Sequence, residues 1–237
     1  MKRLGIIGGL GPMATAYLMQ QIINMTDAST DQDHIEMVVY NIPTIPDRTK
    51  FILGDSSDSP LPRMVSVAQD LQNCGCDCLA MPCITAHFFH DELEDAVSIP
   101  LIHGIFATGQ YLAARHISRV GIMATDGTIA SDLFKKSFSN FGIETIYPDE
   151  VHQKYIMDII YNDVKASRPV EMNKFNESAS ALRLSGAEVI ILGCTELSIV
   201  KRDENIGHGF LDVIDIIAKC SVEACGKLKE DYKELIS

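Results

Sequence analysis

Two cysteines stand in matching surroundings far apart in the chain. Cys83 lies in Met81-Pro82-Cys83-Ile84-Thr85, after the apolar run Cys78-Leu79-Ala80-Met81. Cys194 lies in Leu192-Gly193-Cys194-Thr195-Glu196, after Val189-Ile190-Ile191-Leu192. Two thiols facing one carbon from opposite sides can invert its configuration. One takes the proton, the other returns one, and the roles exchange in the reverse direction. A thiol suits this work, because its pKa of about 8.5 falls near a helix N-terminus or a cation. Each cysteine precedes an expected helix start, with Thr85 and Thr195 as N-cap residues. An amino-acid Cα–H is a very weak acid, so hydrogen-bond donors on the α-carboxylate must stabilise the carbanion. Thr85, Thr128 and Thr195 are candidates for that, and Glu196, Asp47 and His87 for tuning the thiols. A single cysteine at a strand end is ordinarily inert packing. Two in a repeated context, each beside a threonine, favour chemistry.

Short apolar strands alternate with amphipathic helices, which predicts an α/β fold with parallel sheets covered on both faces. Strands are expected at Leu4–Gly8, Glu36–Tyr40, Cys78–Met81, Val120–Ala124, Glu144–Ile146 and Val189–Leu192. Helices are expected at 13–26, 61–73, 87–97, 131–141, 154–164, 170–185 and 211–228. The longest irregular stretch, Asn41 to Pro60, has the length of a functional loop. The plan repeats: Gly8 to Cys83 and Ala124 to Cys194 are intervals of similar length. This predicts two similar lobes, residues 1–100 with 210–237 and residues 101–209, related by pseudo-symmetry with the site in the cleft between them. In parallel α/β sheets ligands bind beyond the carboxyl ends of the strands, where both cysteines fall.

The 237 residues are 46% hydrophobic, ample for a core, and carry a formal net charge of −12. So acidic a chain repels phosphate backbones, which disfavours nucleic acid as a partner. No apolar run reaches membrane-spanning length and no targeting segment is evident, so a cytoplasmic location is expected. Seven cysteines, an odd number, argue for free thiols. Cys74-Gly75-Cys76-Asp77-Cys78 lacks the paired spacing of a zinc site, so no metal is expected. Gly9-Leu10-Gly11-Pro12-Met13-Ala14 fits a dinucleotide-binding turn, but strand Glu36–Tyr40 ends without the acid that would hold a ribose.

Taken together, the motifs resemble the aspartate/glutamate racemase family over nearly the whole chain, most closely its aspartate branch. They are Gly5-Ile6-Ile7-Gly8-Gly9-Leu10-Gly11-Pro12, Asp31-Gln32-Asp33-His34, Ile45-Pro46-Asp47-Arg48-Thr49, Pro82-Cys83-Ile84-Thr85-Ala86-His87, Ala124-Thr125-Asp126-Gly127-Thr128 and Gly193-Cys194-Thr195-Glu196. The resemblance implies cofactor-independent racemisation of an acidic amino acid, Cys83 and Cys194 as the acid/base pair, and a homodimer. It implies Arg48 and Lys165 as ligands of the distal carboxylate, and places Gly9 among the substrate-binding positions. Ile84 departs from the pattern, where Asn is usual. Losing one hydrogen bond to a charged group costs about 1.5–3 kcal/mol. The alternatives left open are a related isomerase acting on another amino acid or dicarboxylate, and a non-catalytic small-molecule binder.

Overall fold

The computed structural model describes residues 2–237. The chain divides into two compact units, Met1–Gly104 with Ile214–Leu235, and Ile105–Val213 with Ile236–Ser237. In the first unit, strand β1 (Arg3–Gly8) pairs in parallel with β2 (Glu36–Asn41) on one side and β3 (Cys78–Ala80) on the other. The backbone at Leu101 extends this sheet by one parallel bridge to Leu79. Helices α1 (Pro12–Met25), α2 (Arg48–Leu53), α3 (Leu61–Asn73) and α4 (His90–Asp95) connect the strands. Helix α3 shows why: its buried residues Met64, Val67, Ala68 and Leu71 recur at helical spacing and form one apolar stripe against the sheet.

The second unit repeats the arrangement. Strand β4 (Arg119–Met123) pairs in parallel with β5 (Glu144–Ile146) and β6 (Val189–Leu192), and β6 pairs with β7 (Phe210–Asp212). Its helices are α5 (Gly104–Ala113), α6 (Asp126–Ala130), α7 (Leu133–Ser139), α8 (Glu150–Asp158), α9 (Met172–Leu184) and α10 (Thr195–Asp203). The last helix, α11 (Val213–Cys225), lies in the first unit from Ile214 onward. The orders β2-β1-β3 and β5-β4-β6 are the same plan used twice. Among the described residues no helix is long and apolar enough to cross a membrane.

Three local expectations need correction. The loop expected over 41–60 contains α2, capped by Asp47, whose carboxylate accepts the Lys50 amide at 3.0 Å. The helix expected from Leu211 begins at Val213, because Phe210–Asp212 is buried strand beside β6. The helix expected over 87–97 is a 3-10 turn, Thr85–Phe89, passing into α4.

Gly9 ends β1 with φ +92°. A Cβ built there would lie 2.2 Å from the Ile42 amide nitrogen. Only glycine fits both constraints. Its amide donates to Thr15 Oγ1 at 2.9 Å, which makes Gly9 a structural residue of the turn. Gly9→Ala is expected to cost at least about 2 kcal/mol, from strain plus displacement of Ile42. Chemical denaturation checks this, as a lowered midpoint at unchanged slope.

Candidate active site

In the first unit the chain leaves β1 to build β2 on one side and returns to place β3 on the other. The switch point, where parallel sheets bind ligands, is therefore at the carboxyl ends of β1 and β3. Cys83 follows β3 and is 6% exposed, packed against the unit's core. Ile84 is buried and Thr85 opens the 3-10 turn. Thr85 is thus not a cap, because Ile84 before it already has helical dihedrals. Arg48 opens α2, and its Nη2 donates to the Leu10 carbonyl at 3.2 Å. Its Nη1 donates to the Pro46 carbonyl at 3.0 Å. These bonds bring the guanidinium to the β1 turn.

His87 is held from two sides. The Cys83 carbonyl, which can only accept, lies 3.1 Å from Nδ1. The Gly104 amide, which can only donate, lies 3.0 Å from Nε2. The ring is therefore neutral, with its proton on Nδ1. Burial, reinforced by neighbouring His103, pulls its pKa down to about 3. Both nitrogens serve backbone groups, so His87 braces the Cys83 main chain. Of the residues expected to tune the thiols, His87 thus acts on Cys83 through its backbone.

Such a histidine makes stability depend on pH. Its folded pKa lies below the unfolded value of about 6.5, so its contribution is intact above pH 6.5 and is lost progressively as pH falls toward 3. At pH 5 the loss is about 2 kcal/mol. Thermal melts at pH 7.5 and 5 are expected to show this drop, and to show less of it in His87→Gln.

The second unit presents its own switch point, at the carboxyl ends of β4 and β6. Cys194, 5% exposed, is itself the N-cap of α10, with extended dihedrals of −145° and 136°. Thr195 is the first helical residue, so the expected N-cap lies one residue earlier. The Cys194 thiol donates to Glu196 Oε2 at 2.9 Å, and Thr195 Oγ1 donates to the same oxygen at 3.1 Å. The helix start was expected to lower the Cys194 pKa. Burial pushes it up instead, followed by the Glu196 charge, with Lys165 opposing. Cys194 therefore rests as a thiol hydrogen-bonded to a carboxylate.

Lys165 stands 4.0 Å from Glu196 Oε1 and 3.9 Å from the centre of the Tyr161 ring. It follows a π-helical turn, Ile159–Val164, that continues α8. Such turns re-aim side chains and are frequent at functional sites. At the end of β4, Thr125 Oγ1 caps α6 by accepting the Thr128 amide at 3.3 Å, and lies 3.1 Å from the Thr128 hydroxyl. Gln153, which sequence reasoning missed, donates to the Ala124 carbonyl at 3.1 Å and to Asp126 Oδ1 at 2.7 Å. Tyr161 was missed too, although its spacing of one helical turn before Lys165 was a usable signal.

The sequence profile of the Asp/Glu/Hydantoin racemase family matches residues 7–220. The chain belongs to this family. It is similar to a broad specificity amino-acid racemase, RacX, of Bacillus subtilis, with 26% identity covering 92% of this chain and 96% of that one. Its fold is similar to that of the Picrophilus torridus aspartate racemase, with a TM-score of 0.84 and 28% identity covering 98% of each chain. The glutamate racemase of Francisella tularensis, solved with D-glutamate, shares the fold at a TM-score of 0.69 and 18% identity, covering 94% of this chain and 80% of that one. Membership makes this protein an isomerase of the racemase class.

Proposed function

We propose that this racemase inverts the Cα of an acidic amino acid, aspartate first, with Cys83 and Cys194 as the acid/base pair and without a cofactor. The observation that carries the reading is positional. Each thiol follows the strand across the switch point of its own unit, β3 or β6, and a threonine follows, after Ile84 in the case of Cys83 and directly after Cys194. Family membership supports reading that coincidence as chemistry.

In the proposed cycle the thiolate of one cysteine removes the Cα proton, and the thiol of the other delivers a proton to the opposite face. Because Cys194 rests protonated, it is the acid for the enantiomer whose Cα–H points toward Cys83. Glu196 accepts the Cys194 proton to prime the reverse direction. A guanidinium has five donors, so Arg48 can hold its loop and also engage a carboxylate. Lys165 is the second cationic anchor, and the hydroxyls of Thr85, Thr128 and Thr195 are donors for the α-carboxylate as its charge grows.

Incubating the pure protein with L-aspartate in D₂O, without pyridoxal phosphate, tests the reading. D-aspartate carrying deuterium at Cα is expected. Neither inversion nor deuterium, with aspartate or a panel of other amino acids, would defeat it.

Ile84 favours a second reading, a wider substrate range. The side chain offers no polar group where the family usually has Asn, and RacX is named for broad specificity. Ile84→Asn is expected to raise kcat/KM for aspartate by about 10- to 100-fold relative to apolar amino acids, the worth of one hydrogen bond to a charged group. Substrate profiling of both proteins checks this, and an unchanged ratio would remove Ile84 from the specificity argument.

A further inference from the structure

The proposed racemisation uses Cys83 and Cys194 and leaves another thiol pair without a task. Cys78 opens β3 and Cys225 closes α11. Their sulfurs lie 3.2 Å apart, and both residues are buried. A disulfide bond is about 2.05 Å long, so a sulfur movement of about 1 Å would join them.

We propose that Cys78 and Cys225 form a reversible dithiol–disulfide site, oxidised by a peroxide and reduced by a dithiol. The hydrogen bond from Cys78 holds the Cys225 thiol below the usual range. The same contact, with burial, pushes Cys78 up. The attack is assigned to Cys225, as the thiolate. It displaces hydroxide from the peroxide as the O–O bond breaks, and becomes a sulfenic acid. The Cys78 sulfur then attacks the Cys225 sulfur. The S–S bond forms, the S–O bond breaks, and the Cys78 proton leaves with the departing hydroxide as water. The hydroxide displaced in the first step takes up the proton that Cys225 lost on ionising, so each sulfur gives up one electron and one hydrogen peroxide becomes two waters. A dithiol reverses the bond by exchange. The second unit is inserted between the two segments of the first. The new bond would close those segments upon each other, constraining the unfolded chain.

Mild hydrogen peroxide treatment of the full chain tests this, in a Cys74→Ser/Cys83→Ser/Cys194→Ser background that removes the exposed thiol and the two thiols assigned to racemisation. The thiol titre of the denatured chain should fall by two. A non-reducing digest should contain a Cys78–Cys225 cross-linked peptide that dithiothreitol separates. The melting temperature should rise, and further replacement of either Cys78 or Cys225 by serine should abolish the cross-link. Both thiols remaining alkylatable, a cross-link between other cysteines, or sulfinic acid at Cys225 with Cys78 still free would each overturn the proposal.

Discussion

Cys83→Ala and Cys194→Ala are each expected to lower the rate of racemisation by about 10²–10⁴-fold or more, the usual worth of a positioned acid or base. The more telling expectation is asymmetric. Each variant keeps one thiol on one face. It can still remove and return a proton there, but cannot deliver one to the other side. One enantiomer should exchange its Cα hydrogen with D₂O without inverting, and the opposite enantiomer should do so in the other variant. Proton NMR of each enantiomer with each variant reads this directly. Exchange of the same enantiomer in both variants would mean that the thiols do not act from opposite faces.

Glu196→Gln separates the thiol from its carboxylate. The Glu196 charge and its hydrogen bond both push the Cys194 pKa up, on top of burial. Glutamine keeps the shape and removes the charge, so Cys194 is expected to ionise at lower pH. The pH dependence of Cys194 alkylation, followed in a Cys83→Ala background, should move to lower pH. Turnover should still fall, by about 10- to 100-fold, because a charge-assisted hydrogen bond and a proton acceptor are lost together. A purely structural Glu196 would lower turnover with no displacement of the alkylation profile.

Much of this was legible in the sequence where the signal was continuous and local. Runs such as Val189–Leu192 announce buried parallel strands, and the bounds expected for α3 and β5 are those observed. Short elements hidden by their surroundings were not legible. Six-residue α2 sits among prolines and serines, and its clearest mark is Asp47 three residues before Lys50. β7 hides because Phe210-Leu211 continues the apolar pattern of α11 without a break. At the site, residue types were readable but electrostatics were not. The helix after Cys194 suggested a lowered pKa, whereas burial and Glu196 decide its direction. Nothing local to His87 shows that the amide of Gly104 will meet its Nε2. Pairings across the fold are settled by packing and leave no trace at either residue.

A crystal structure of the protein holding aspartate tests the central claim most directly. The account predicts the Cys83 and Cys194 sulfurs on opposite faces of the substrate Cα, each within about 4 Å of it, near-attack separation for proton transfer. Both sulfurs on one face, or a Cα out of reach of either, would contradict it.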